Sequence, residues 1–180
     1  MAGGGFEQCY NALAAVAAKS MSVVAHDVTQ AANDKQQLAP MVEWLKALPK
    51  RLGRLRHLLA DNGYLSDANV EACAAAKIEP LIALGRERHH VGRRERFAPT
   101  PMAPPDSATP LQKMAYRLRT PEGKALYALR KQTPEPVFGI IKSVLGFEQF
   151  RLRGIDNVKG EWNLVTMSWN IKRKFTLCPG

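Results

Sequence analysis

The residue pattern predicts an α/β fold, in which helices pack on a mixed sheet. Residues 8–17 and 21–29 are short apolar stretches separated by Ala-Lys-Ser, which is the pattern of a β-hairpin. Residues 33–48 place apolar side chains at helical spacing, and the run stops at Pro49. A strand, a helix and a further strand are then predicted between residues 55 and 84, an order typical of α/β proteins.

This alternating part places one acidic residue at the end of a strand. Residues 55–60 read as a strand that enters the turn sequence Asp61-Asn-Gly-Tyr. Ser66 follows, and its side chain can cap a helix whose body is residues 68–76. Residues 78–84 form the next apolar strand, so Asp61 is predicted at the C-terminal end of a strand within the sheet.

Prolines and arginines interrupt the pattern in the second half. Residues 86–118 are predicted to be a basic, Pro-rich insertion or loop. Helices are predicted at 121–132 and 137–145, and Glu135 lies near the start of the second because proline suits a helix start but not its interior. A C-terminal helix completes the fold, and its apolar face is predicted to be core rather than a base-stacking platform; this face comprises Val158, Trp162, Val165 and Trp169.

The charge is strongly positive and unevenly placed. Twenty-six Lys and Arg oppose sixteen Asp and Glu, which gives a formal net charge of +10. Residues 1–85 are balanced, whereas residues 86–180 carry eighteen basic and eight acidic side chains. This excess predicts a polyanionic partner such as a nucleic-acid backbone, although any single basic cluster could be a solvated face.

Other classes of protein are disfavoured by what the chain lacks. Its longest apolar runs, such as residues 12–18, are far shorter than the roughly 18 residues needed to cross a bilayer, so no membrane partner is expected. The first residues show no secretory signal, which predicts a cytoplasmic protein. Cys9, Cys73 and Cys178 are widely spaced and form neither a disulfide framework nor a metal-binding motif.

Two carboxylates occupy positions where metal ligands could lie. Asp61 ends a predicted strand, and Glu135 starts a later predicted helix. Carboxylates suit Mg²⁺ or Mn²⁺, and two such ions can assist phosphoryl transfer. A single Asp before a turn or a single Glu beside a proline is also typical of a helix cap, so the residues alone leave both interpretations open.

Several longer motifs resemble one known family, the bacterial insertion-sequence transposases of the DDE, cut-and-paste type. The resemblance is to their C-terminal catalytic part, and it covers nearly the whole chain apart from the Pro-rich segment. The matching motifs occur together and in order, and they are GFEQCYNALAA (5–15), VTQAANDKQQLAPM (28–41), LADNGY (59–64), IEPLIALGR (78–86), RTPEGKALYALRKQTPEPVFGIIKSVLG (119–146) and FRLRGIDNVKGEWNLVTMSWN (150–170).

This resemblance implies a ribonuclease H-like fold and a definite chemistry. In such proteins three acidic residues hold two divalent ions, Mg²⁺ or Mn²⁺, which drive hydrolysis at the transposon ends and then strand transfer by the freed 3′-hydroxyl. The implied partner is double-stranded DNA, both the transposon ends and the target, and a homodimer on the DNA is possible. The implied location is the bacterial cytoplasm, in association with the nucleoid.

The resemblance also assigns roles to individual residues. Asp61 matches the second acid and Glu135 the third, both as catalytic residues and metal ligands. Lys142 matches the lysine that follows the third acid and contacts a terminal DNA phosphate.

Tyr127 and Arg130 match earlier members of the same motif. Four residues separate Arg130 from Glu135 where the motif has three, so Lys131 is an equally good candidate for the DNA contact. Arg151 and Arg153, in a later basic cluster, are predicted to follow the DNA backbone.

The chain departs from the family pattern at the first acid. The matching stretch ends in Ala17, which has no carboxylate, and neither Asp27 nor Asp34 occupies the matching position. A site that lacks one ligand should align its ions poorly. No helix-turn-helix precedes these motifs, so we expect a truncated catalytic domain with impaired activity spanning residues 1–180.

Two other functions compete with this one. The chain could be an inactive remnant that binds DNA non-specifically through its Arg and Lys clusters. A basic RNA-binding or ribosome-associated protein would fit the pI near 9.8 as well, but the chain has no aromatic-rich recognition motif.

Overall fold

The computed structural model describes residues 10–31, 33–85 and 102–178. The chain divides into two compact units. The terminal unit comprises Met1–Ala32 and Gln132–Gly180, and the central unit comprises Asn33–Lys131. Each unit is described below by itself.

The terminal unit begins with the predicted hairpin. Strand β1 (Asn11–Val16) pairs antiparallel with β2 (Val23–Thr29), which confirms the hairpin expected from the two apolar stretches. The turn between them is closed by two hydrogen bonds, from the N–H of Ala17 to Ser22 O (2.9 Å) and from the N–H of Met21 to Ala17 O (2.8 Å).

Two helices complete the terminal unit. They are α5 (Pro134–Ser143) and α6 (Ile155–Leu177), numbered in chain order after the four helices of the central unit, which are described below. Pro134 occupies the first helical position of α5, where a missing N–H costs nothing. The predicted apolar face of α6 is confirmed as core; the buried cluster contains Val23, Val28, Val137, Ile141, Val158, Trp162 and Trp169.

Side chains of α6 bond directly to the hairpin backbone. Trp162 Nε1 donates to the carbonyl of Leu13 (3.0 Å), and Trp169 Nε1 donates to that of Met21 (2.7 Å). The Asn170 amide accepts from the N–H of Val23 and donates to its carbonyl, both at 2.8 Å. This helix therefore uses several of the hairpin backbone groups that could otherwise pair with a further strand.

The central unit contains a parallel strand pair with a helical crossover. It begins with α1 (Leu38–Lys46), whose buried side chains confirm the predicted amphipathic helix. Strands β3 (His57–Ala60) and β4 (Glu79–Ile82) are parallel and are joined through α2 (Asp67–Ala75). The Ser66 hydroxyl accepts a hydrogen bond from the N–H of Asn69 (3.2 Å), as predicted for the helix cap.

The predicted Pro-rich loop contains a helix. Residues 86–101 of that loop lie outside the described residues, but Pro110–Arg117 forms α3. Thr109 and Gln112 form a reciprocal capping box, and Pro110 takes the first helical position. The loop prediction is therefore wrong for residues 110–117, because these prolines start a helix rather than prevent one.

A tight turn joins α3 to α4 (Pro121–Ala128). The Thr120 hydroxyl accepts from the N–H of Gly123 (3.1 Å) and donates to the carbonyl of Arg117 (2.8 Å). The Arg117 guanidinium also bonds to Glu122 (3.1 Å) and to Glu79 (3.0 Å). Most residues of the RTPEG sequence (119–123) therefore help to fix this turn.

The class prediction is supported, but the sheet is smaller than expected. The described strands form two separate two-stranded sheets, β1–β2 and β3–β4, and one continuous mixed sheet is not found among them. In the terminal unit, α6 side chains bond some of the hairpin backbone groups that a further strand could use, among them the carbonyl of Leu13 and the N–H of Val23. Within the described residues, no helix is long and apolar enough to span a membrane.

Candidate functional site

Asp61 lies directly after β3, as the sequence predicts, and forms an ion pair with Arg130. The pair joins Asp61 Oδ1 to Arg130 Nη1. The Arg130 side chain is only 12% exposed, whereas that of Asp61 is 59% exposed. A mostly buried guanidinium thus holds a carboxylate that still faces solvent.

Tyr127 completes this arrangement from the last turn of α4. The Arg130 guanidinium carbon lies 5.7 Å from the centre of the Tyr127 ring, within cation–π range. The Tyr127 hydroxyl lies 3.4 Å from the carbonyl oxygen of Ala60, the residue before Asp61. Arg130 and Lys131 are the two basic candidates for the DNA contact; Arg130 pairs with Asp61, and the side chain of Lys131 is exposed.

A second carboxylate, Asp34, lies close to the turn that follows Asp61. Burial raises the pKa of Tyr64 to about 12, and the negative charges of Asp34 and Asp61 add to this rise. A Cβ atom on Gly63 would lie 3.4 Å from Asp34 Oδ2. Asp34 and Asp61 are therefore both near Tyr64, and they are the candidate acids that lie in the central unit.

A buried amide fixes this corner of the central unit. Asn69 is 2% exposed, and its Nδ2 donates to the carbonyls of Lys35 and Tyr64, both at 2.7 Å. The turn that carries Asp34 and the turn that follows Asp61 are thereby tied to α2. Nothing in the sequence identified Asn69, although it lies at the third position after the capping residue Ser66.

Ala17 and Asp27 belong to the terminal unit. Ala17 lies in the hairpin turn and supplies only backbone bonds there. Asp27 pairs with Lys159 of α6, whose Nζ lies 2.9 Å from Asp27 Oδ1. Burial lowers the pKa of the neighbouring His26. The negative charge of Asp27 and a hydrogen bond with Asn163 raise this pKa, but by less than burial lowers it.

Glu135 and Lys142 share one exposed face of α5. Glu135 is in the first turn of the helix and Lys142 in the last, an order that suits the helix dipole. Their separation of seven residues places them on the same side, opposite the buried Val137 and Ile141. Glu135 belongs to the terminal unit, whereas Asp61 belongs to the central unit.

Arg151 and Arg153 extend from a loop whose backbone is tied down. The Glu161 carboxylate accepts from the backbone N–H groups of Arg151 (3.0 Å) and Leu152 (3.1 Å). Gly154, at a φ of +83°, donates to the Tyr10 hydroxyl (3.0 Å). Both arginines are exposed on this loop. Sequence reasoning missed Glu161, although it lies within the matched GEW motif.

A preformed metal cluster is absent from the described ranges. No group of three or more His, Cys, Asp or Glu comes together there in a way that could hold a metal ion. Burial raises the pKa of the Cys73 thiol to about 11, which makes it a poor thiolate ligand, and Cys178 is exposed. Cys9 lies outside the described residues.

Asp61→Asn is expected to destabilise the central unit by about 1 kcal/mol, because the mostly buried guanidinium of Arg130 loses this ion pair. The loss is small because Asp61 is more than half exposed and solvent screens its charge. Urea unfolding measures the change. Asp106→Asn removes an exposed carboxylate in the same unit and is the matched control. Equal unfolding midpoints for the two variants would show that the ion pair contributes nothing.

Comparison with known families identifies the chain. A family model described as "Transposase DDE domain" matches residues 1–171. Comparison with curated proteins and with solved structures gave no match. Transposases act on DNA, and DDE transposases normally use divalent metal ions. The predicted membership of the DDE transposases is confirmed, and the chain belongs to the transposase DDE domain family.

Proposed function

We propose that this chain is the catalytic domain of a bacterial insertion-sequence transposase of the cut-and-paste type, impaired in its metal-dependent chemistry. Its substrate is double-stranded DNA, namely transposon ends and target, which two copies of the chain hold together. Family membership and the excess of basic residues after position 85 support this function.

The described carboxylates do not fit a complete two-metal site. Ala17 offers no side-chain oxygen at the position matched to the first acid, and the Asp61 carboxylate is held by Arg130. Asp61 and Glu135 are the two acids retained as ligands for Mg²⁺ or Mn²⁺. With one ligand missing, DNA cleavage and strand transfer should be slow or lost, whereas DNA binding needs only the basic residues.

The loop that carries Arg151 and Arg153 is the observation that most supports DNA binding. Because Glu161 and Tyr10 fix its backbone, the two exposed guanidinium groups are displayed without ordering a flexible segment. Lys142 adds a third exposed cation in the same unit. Arginine binds phosphate in a bidentate geometry, which suits a role along a DNA backbone.

The double substitution Arg151→Gln with Arg153→Gln tests this role. Each lost phosphate contact should reduce the slope of log affinity against log salt by about 0.9, so the double variant should lose nearly twice that value. Affinity should fall similarly for duplexes of different sequence. Fluorescence anisotropy with a labelled duplex over a salt series measures both quantities.

Lys50→Gln with Arg51→Gln is the matched control for that experiment. Lys50 and Arg51 are both exposed, and their substitution removes the same net charge as the first double variant. They lie within residues 1–85, where acidic and basic side chains are equal in number. The control should retain the parental salt slope. If both double variants lose the same affinity, binding responds only to net charge and the loop has no specific role.

A catalytically inactive, non-specific DNA-binding remnant is the second candidate function. The ion pair between Arg130 and Asp61 and the alanine at position 17 favour it. In that case no substitution at position 17 alone restores metal binding. The two candidates therefore differ in the response of Ala17→Asp to Mn²⁺.

A further inference from the structure

Helix α6 is apolar on two sides, of which the core covers only one. The other side carries four exposed apolar side chains at helical spacing, which we call the outer stripe: Leu164, Met167, Ile171 and Phe175. Leu164 follows the buried Trp162 by two residues, which is about 200° around the helix. Ile171 stands in the same relation to the buried Trp169. The outer stripe therefore lies opposite the core face.

The outer stripe differs from an ordinary solvent-facing surface of a helix. Its members are between 49% and 72% exposed, and they follow one another at steps of three and four residues. Residues 163–171 contain no charged side chain, although 23% of the whole chain is charged. The solvent face of a helix normally carries its charged residues, whereas an apolar seam at steps of three and four is typical of helices that pair. The outer stripe therefore has the pattern of a surface that pairs with another helix.

The charges that border the outer stripe indicate which helix fits it. At 3.6 residues per turn, Asp156 and Lys174 lie on one flank of the stripe. Glu161 and Lys172 lie on the other flank, so each flank has an acid towards the start of α6 and a lysine towards its end. An antiparallel second α6 would bring the same flanks together, start against end, and each acid would meet a lysine. Parallel pairing would bring like charges together instead.

We propose that the outer stripe is a dimer interface, at which α6 pairs antiparallel with α6 of a second copy of this chain. Leu164 of one copy packs on Met167 of the other, close to the two-fold axis. This register brings Asp156 beside Lys174 of the second copy, and the axis repeats each contact. The inference rests on the proposed function, in which two copies hold the DNA, and it names the surface that joins them. The pairing itself needs no DNA.

Leu164→Gln with Ile171→Gln tests the interface. Both side chains are exposed, so these substitutions leave the core intact, and the net charge is unchanged. In sedimentation velocity without DNA, the parent should form dimers at about 50 μM, a concentration that suits a small interface, and the double variant should be mostly monomeric. Leu52→Gln with Leu84→Gln is the matched control and should dimerise like the parent, because these exposed leucines lie outside α6.

A charge exchange tests the antiparallel arrangement. Lys174→Glu alone should weaken dimerisation about tenfold, because its carboxylate would lie beside Asp156 of the second copy at both ends of the interface. Asp156→Lys alone should have a similar effect for the same reason. The two substitutions together should restore the parental association, because each acid would again meet a lysine. Circular dichroism of each variant confirms that α6 is retained.

The outcomes separate this inference from the proposed function. A parent chain that stays monomeric, or a glutamine double variant that dimerises as well as the parent, overturns the interface. A charge exchange that fails to restore association overturns the antiparallel pairing. If the parent binds duplex DNA but does not dimerise, the inference fails and DNA binding stands. If the parent dimerises through α6 but does not bind duplex DNA, the proposed function fails and the interface stands.

Discussion

Gly123→Ala is expected to destabilise the central unit by about 3 kcal/mol, the upper end of the usual cost of overpacking. A Cβ atom at this position would lie 1.8 Å from the carbonyl oxygen of Arg117 and 2.7 Å from its carbonyl carbon. Both atoms belong to the backbone, so the conflict cannot be relieved by a rotamer change. The tight turn before α4 must open to admit the methyl group.

The damage should extend to the candidate site. Helix α4 carries Tyr127, and Arg130 follows it, so a displaced helix start weakens the ion pair with Asp61. Urea unfolding followed by circular dichroism measures the loss. Gly160→Ala makes the same change at an open helical position and should be neutral or stabilising. A Gly123→Ala variant with the parental unfolding midpoint would contradict this role of glycine.

Trp162→Ala is expected to destabilise the terminal unit by about 4 kcal/mol, as is typical for removal of a buried tryptophan. Trp162 is 2% exposed and donates to the carbonyl of Leu13. Its ring stacks on that of Phe138, with 5.7 Å between the ring centres, and meets that of Phe150 edge-on, with 6.3 Å between the ring centres. Alanine would lose these ring contacts, leave a cavity and deprive the Leu13 carbonyl of its hydrogen-bond donor.

The same substitution should weaken DNA binding indirectly. Phe138 lies on the helix that carries Lys142, and Phe150 precedes Arg151 on the basic loop. Trp44→Ala is the control, because Trp44 is 43% exposed and its loss should cost much less. Denaturant unfolding and duplex binding are compared for both variants. Equal effects of the two substitutions would show that Trp162 does not organise the core.

Local patterns predicted much of the terminal unit. The spacing of apolar residues predicts both the hairpin and the buried face of α6, and both predictions are confirmed. The role of α6 side chains in bonding the hairpin backbone could not be predicted, because Trp162 and Leu13 are far apart in sequence. That bonding uses hairpin backbone groups, at Leu13 and Val23, that a further strand would otherwise need.

The error at residues 110–117 has a local cause. The many prolines of this segment predict a loop, whereas Thr109 and Gln112, which form a capping box, indicate the start of a helix. Proline at a first helical position indicates a helix start when a capping residue precedes it. The cap at Ser66 was predicted by this same logic and is confirmed.

The candidate site was only partly predictable. Asp61 was expected at a strand end and is found there, because strand and turn signals are local. Its ion pair with Arg130 depends on how the Thr120 turn sets α4 against the strands, a tertiary effect that spacing does not encode. The roles of Asp61, Glu135 and the DNA-contacting residues remain predictions.

Calorimetric titration with Mn²⁺ tests the impaired metal site most directly. The parent chain should bind Mn²⁺ weakly, Ala17→Asp should bind it more tightly, and adding Glu135→Gln to Ala17→Asp should remove that gain. Circular dichroism of each sample confirms the fold. Tight Mn²⁺ binding by the parent, unchanged by Ala17→Asp, would contradict the assignment of Ala17 to the missing ligand position and with it the proposed impairment.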